Sequence, residues 1–222
     1  MRPRPGSVDS GMNRRVLLLA LGGASAALVS APARRVLACA CCADDGARVE
    51  ADHALEGWTL GELRRVRFGA TARLRTGDGE MADYAKGIRE PADSYQVALT
   101  RVTDKRGEVW TLGFRDATGK SGTLVWVLPK VVEELSVDPR DGQSGRVGGP
   151  LLYKELRLRM PADATGVFEP GKGAGMTARL VLQGRGNMCM AAEQLTHWSL
   201  GVSGPRAGYL FFGTLAAPAP RP

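Results

Sequence analysis

Between residues 152 and 160 the side chains alternate almost without a break. Leu152, Leu156, Leu158 and Met160 fall on one face, and Tyr153, Glu155, Arg157 and Arg159 on the other, with Lys154 the one charged residue on the apolar side. A repeat of two is the spacing of a half-buried strand and is incompatible with a helix, whose apolar stripe recurs every three to four residues. The same pattern returns along the chain. Val66, Phe68, Ala70, Ala72 and Leu74 alternate with Arg65, Arg67, Thr71, Arg73 and Arg75 around a glycine, Gly69, that predicts a bulge or bend. Tyr95, Val97 and Leu99 form a second alternating set, Trp110, Leu112 and Phe114 a third, and Met176, Ala178, Leu180 and Leu182 a fourth. Trp198, Leu200 and Val202 make a further strand, and Tyr209–Leu215 the last. Leu124–Leu128 is apolar on both faces, as in a covered strand, and Val131–Val137 extends the sheet.

Gly- and Asp-rich turns punctuate these runs at Gly77-Asp78-Gly79, Lys105-Arg106-Gly107, Ala117–Gly122, Asp138–Pro150, Gly171-Lys172-Gly173 and Ser203-Gly204-Pro205. Glu80–Ser94 reads as an irregular surface segment with a helical turn or two over Met81–Ile88. Roughly nine or ten short strands with almost no helical periodicity predict a single all-β domain over residues 58–215, either an antiparallel barrel or a β-sandwich. Trp110, Trp126, Leu156, Leu158, Leu180 and Trp198 are the expected core. Residues 216–222 form an Ala/Pro tail with nothing to bury and are expected to be disordered.

The first 33 residues read as targeting rather than fold. Asn13-Arg14-Arg15 precedes Val16–Ser30, a run too short and too rich in Gly, Ala and Ser to span a bilayer, and Ala31-Pro32-Ala33 supplies a small-x-small cleavage signal. The arginine pair, the weakly apolar core and Arg34-Arg35 after it resemble a twin-arginine export signal, with Asn13 where a serine or threonine is usual. That resemblance implies an address, the periplasm or the exterior, and no activity. Cleavage after Ala33 keeps all four cysteines, and cleavage after Ala40 starts the chain at Cys41. If Val36-Leu37-Ala38-Cys39 is a lipobox, acylation of Cys39 tethers the domain to a membrane. Charge follows the same division: of the formal +7, residues 1–38 hold +5, leaving +2 for the rest. The basic balance therefore belongs to the targeting segment, and no nucleic-acid partner is expected.

Residues 34–57 read as a polar arm bearing Cys39, Cys41 and Cys42, and the fourth cysteine, Cys189, lies between Met188 and Met190. In an oxidising compartment the ordinary outcome is a disulfide from the arm to Cys189, which closes a loop of about 150 residues and stabilises by about 4–5 kcal/mol in the chain-entropy model. Thiolates and thioethers also select copper or zinc, so Cys39, Cys41, Cys42, Cys189, Met188, Met190 and His53 form a candidate soft-metal set. Met188 and Met190 face away from Cys189 on a strand, so that set requires Gly184–Asn187 to be a loop. Cys39-Ala40-Cys41-Cys42 contains a Cys-x-x-Cys spacing but lacks the strand-to-helix setting of a redox motif. There is no His-Glu-x-x-His, no Gly-x-Ser-x-Gly and no P-loop, and the chain reads as a non-enzymatic binding or structural module. His197 is expected at a strand start, with Trp198 buried beside it.

Overall fold

The computed structural model describes residues 48–76, 84–137, 152–186 and 194–217. In chain order these form β1 (Arg48–Ala54), helix α1 (Gly57–Arg65), β2 (Arg67–Leu74), β3 (Ala85–Lys86), β4 (Ser94–Asp104), β5 (Gly107–Arg115), β6 (Ser121–Val127) and β7 (Val131–Val137). There follow β8 (Leu152–Gly166), a 3-10 turn at Glu169–Gly171, β9 (Thr177–Gly186), β10 (Leu195–Ser203) and β11 (Gly208–Ala216). Eight strands close on themselves in the order β8, β9, β10, β11, β2, β4, β5, β6 and back to β8, every pair antiparallel. The protein is therefore a closed barrel rather than a sandwich, and closure removes the exposed edges that an open sheet must protect. Three strands stand outside the ring: β3 on β11, β7 on β8, and β1 on β7.

Alternation puts one side chain in two inside the ring, and those side chains fill it. Trp110 and Trp126 are directly opposed on β5 and β6, with ring centroids 6.4 Å apart. Phe114, Phe168 and Phe211 pack with Tyr95 and Tyr209, Phe114 and Phe211 at 4.6 Å and Phe114 edge-on to Phe168 at 5.1 Å. Edge-to-face contacts of this kind add about 0.5–1.5 kcal/mol each beyond area burial. Leu63 of α1 is buried toward the Glu108 end of β5, and Phe168, from the turn after β8, is buried toward the Phe114 end. The six expected core residues are all buried. Gly122 makes room for Phe168: a Cβ there would meet the Phe168 ring at 2.8 Å and the Thr165 carbonyl at 2.7 Å. Gly166, at φ +62°, turns the chain out of β8 in a conformation that other residues rarely adopt.

Several expectations are corrected. The arm is shorter than residues 34–57, because 48–54 form β1. Its alternation is masked by carboxylates, Glu50 and Asp52, on one face and a histidine, His53, on the other. Helix α1 has no counterpart among the expected elements, and its nine residues bury only Thr59 and Leu63, too little to leave a helical stripe in the sequence. Within Glu80–Ser94, Ala85–Lys86 is a short strand paired to Gly208–Tyr209 rather than part of a helical turn. Counting β1 and β3, eleven strands are present among the described residues. The irregularity expected at Gly69 is real: Gly69, Ala70 and Thr71 together oppose Thr214, and Ala70 is turned out to solvent. Residues 1–47, with the signal, the cleavage sites and three cysteines, and 218–222, most of the Ala/Pro tail, lie outside the described residues.

The 15-residue strand β8 controls what lies outside the barrel. One edge pairs with β9 from Leu152 to Pro161. The other edge changes partner, pairing with β7 over Tyr153–Arg157 and with β6 over Ala162–Gly166. Between these two ladders the chain from β6 to β7 swings away through Leu128-Pro129-Lys130. The Leu128 amide donates to the Glu108 carbonyl and the Lys130 carbonyl accepts from Leu55. The first half of β8, with β7 and β1, thus forms a flap continuous with β9.

Candidate functional site

The flap carries buried charge on both faces. On the face shared with the barrel interior, Lys154 Nζ lies 3.0 Å from Glu134 Oε1, with both side chains buried. His53 Nε2 sits 3.8 Å from Glu134 Oε2, and both ring nitrogens are buried without a hydrogen bond among the described residues. Trp58, at the start of α1 and 54% exposed, lies over this pair with Lys154 Nζ 5.5 Å from its ring. Such a pair repays its desolvation only in one geometry, so it fixes how the flap sits against the barrel.

On the opposite face Arg157 is the hub. Its Nη1 donates to Glu50 Oε1 at 2.8 Å and to Glu133 Oε1, and its Nε donates to Glu155 Oε2. Gln183 Nε2 holds the other Glu155 oxygen at 3.0 Å. Burial disfavours the charge on Arg157, but the hydrogen bonds to Glu155 and Glu133 outweigh it and hold the guanidinium above the ordinary arginine range.

Beside this hub lies a groove of about 630 Å³. It opens where β6 and β7 part: Pro129, Lys130 and Val131 form one wall, and β8 forms the floor at Leu158, whose side chain is buried beneath, and exposed Arg159, along the stretch that has a ladder on one edge only. It runs across Arg179 to Thr177 and Ser203, directly paired on β9 and β10. Arg159 and Arg179 are directly opposed on β8 and β9. At the other end Asp52 and Glu133 are directly opposed on β1 and β7. The groove thus has carboxylates at one end, paired arginines in the middle and hydroxyls at the far end.

Of the residues singled out from sequence, Cys39, Cys41, Cys42, Met188, Cys189 and Met190 lie outside the described residues, and His53 is in β1 beside Glu134. Gly184–Gly186 is not the loop expected over Gly184–Asn187: β9 runs through Gly186, and Gly184 pairs with Lys154. His197 is exposed on β10 with Nδ1 2.9 Å from Thr196 Oγ1, and Trp198 is buried. Among the described residues no group of three or more His, Cys, Asp or Glu is arranged to hold a metal ion, and no helix is long and apolar enough to cross a membrane. Sequence reading placed Arg157 and Arg159 on the outward face but missed that Arg179 opposes Arg159, because cross-strand register is not written in either strand alone. Comparison with protein-family models, with curated proteins and with solved structures gives no match.

Proposed function

We propose that this chain is an exported, non-enzymatic binding module whose ligand site lies on the outside of the barrel. The observation that carries the reading is the filled lumen: Trp110, Trp126, Phe114, Phe168 and Phe211 occupy the space that an eight-stranded ligand carrier leaves for its guest. The test uses the full chain with an apolar fluorescent fatty acid and a panel of polar ligands. The fatty acid should leave the emission of the buried tryptophans unchanged. Stoichiometric uptake of the fatty acid with quenching of that emission would refute the reading. Export by the twin-arginine route belongs to the same proposal. Changing Arg14 and Arg15 to Lys should abolish it, whereas normal export of that variant would assign the general secretory route. A diacylglyceryl mass on Cys39 would place the module on a membrane surface.

One further observation favours a cysteine staple between the arm and Cys189, or a copper or zinc site built from the same sulfurs. Arg48, Val137, Tyr153 and Arg185 stand in one cross-strand row. The chain arriving from the arm and the chain leaving toward Cys189 therefore emerge at one level of the sheet, three strand spacings or about 14 Å apart. Cys42 lies six positions before Arg48, a reach of up to roughly 20 Å. A thiol count and metal analysis on protein recovered from the periplasm separate the two outcomes: no free thiol and no metal means the staple, and near one copper or zinc per chain means the site.

A further inference from the structure

Arg159 and Arg179 are a pair that the fold does not need. They stand opposite each other on adjacent strands, both exposed, and among the described residues neither side chain enters a hydrogen bond or ion pair. Like charges at directly opposed positions destabilise a sheet. The carboxylates that could neutralise them are committed elsewhere, since Glu50, Glu133 and Glu155 all converge on Arg157, two residues along the same face. Gly201 pairs with Arg179 on the far side and adds no side chain, so the arginines face an open surface with Lys130 at its rim.

Taking the binding reading above as its basis, we propose that this groove binds an acidic oligosaccharide. Its sugar carboxylates would be held by Arg159 and Arg179, and its hydroxyls would donate to Asp52 and Glu133 at one end and meet Thr177 and Ser203 at the other. Planar guanidinium groups match carboxylates two bonds at a time. One exposed ion pair multiplies affinity by only about fivefold at best, so a small single anion would hardly be retained here. A chain that meets several groups at once gains from each. From Asp52 on β1 to Ser203 on β10 the groove crosses four strand spacings, roughly 19 Å, enough for several sugar rings in a row. Asp52 and the remaining lone pairs of Glu133 call for hydrogen-bond donors, which the hydroxyls on every uronate ring supply and a DNA sugar-phosphate backbone does not. Among the described residues the groove lining has no aromatic platform on which bases could stack.

The full chain is titrated calorimetrically with oligomers of polygalacturonate, polymannuronate and hyaluronate, with methyl-esterified polygalacturonate and with a single-stranded DNA oligonucleotide. At least one acidic oligomer should bind, more weakly as salt rises, while the neutral ester should not. Arg159→Gln with Arg179→Gln should weaken that binding at least tenfold and raise Tm by roughly 1–3 °C, because a repulsive pair has been removed. Unchanged affinity in the double variant, equal binding of acid and ester, tighter binding of DNA, or no binding of any of the three acidic oligomers would each overturn the assignment. The fatty-acid experiment separates the readings: acidic oligomers that fail to bind while the fatty acid stays out remove only the saccharide, and a fatty acid in the lumen removes the outer-surface reading itself.

Discussion

Tyr209 offers a test of how the barrel interior is built, because Tyr209→Phe removes one atom and leaves the ring in place. The ring stacks on Phe168 at 5.7 Å with 23° between planes and meets Phe211 edge-on at 5.7 Å, so the aromatic packing should survive. Its hydroxyl is buried and finds no hydrogen-bond partner among the described residues. A buried hydroxyl left unsatisfied costs about 1–3 kcal/mol, while the dispersion attraction of one oxygen atom for its surroundings is worth only several tenths of a kcal/mol. Tyr209→Phe should therefore stabilise the protein by about 1–2 kcal/mol at neutral pH, or roughly 3–6 °C in Tm. Alkaline titration gives an independent readout. Burial pushes the Tyr209 phenol up from its ordinary value, so the folded state resists ionisation that the unfolded chain undergoes near pH 10. The stability held this way is complete below about pH 10 and is lost as pH rises beyond it, at about 1.4 kcal/mol per pH unit. Tyr95, also raised by burial against a lowering hydrogen bond from the Ala92 amide, contributes in the same direction and remains in the variant. Guanidinium unfolding between pH 7 and 11 should then show a shallower alkaline decline for the variant than for the wild type. A variant less stable at pH 7, or a decline of identical slope, would mean that the hydroxyl has a partner and that the reasoning is wrong.

Leu158→Ala truncates a buried side chain on β8 beneath the groove, and a loss of about 2–5 kcal/mol is expected by chemical denaturation. A cost near zero would show that the site collapses onto the groove. Lys154→Met leaves Glu134 buried beside an uncharged side chain, for which about 3–5 kcal/mol of destabilisation is expected at neutral pH. A loss below about 1 kcal/mol would show that water reaches the pair.

The ring of strands is legible because each inward face is apolar over several positions. At Leu156, Leu158 and Met160, or Leu180 and Leu182, the alternation alone decides which way a side chain points. The flap is not legible for the opposite reason. β1 reads Arg-Val-Glu-Ala-Asp-His-Ala, with Val49, Ala51 and His53 on its inner face, so one valine is too little to mark a hydrophobic repeat. Its place is fixed instead by seven register pairs with β7, a long-range property absent from local sequence. The groove follows the same rule. Arg159 and Arg179 are 20 residues apart in sequence, and only the hairpin register between β8 and β9 makes them neighbours.

The two halves of β8 are held by different physics, and this bears on how the molecule opens. From Leu158 onward its inward residues join an apolar core enclosed by the ring, where burial is non-directional and tolerates small shifts. Over Lys154–Arg157 the contacts are directional on both faces: Lys154 to Glu134 within, and Arg157 to Glu50, Glu133 and Glu155 without. Sliding β7 by one residue against β8 would exchange its two faces and carry Glu134 away from Lys154 and Glu133 away from Arg157, so the charges specify register where apolar pattern is weak. Exposed members of such a network are screened by salt and its buried members are not. High salt should therefore loosen the outer pairing of β1 through Glu50, whose side chain is 46% exposed, before it affects Lys154 and Glu134. Amide exchange along β1 then responds to ionic strength while exchange along β9 and β10 does not, because the first depends on the charged flap and the second on the filled barrel.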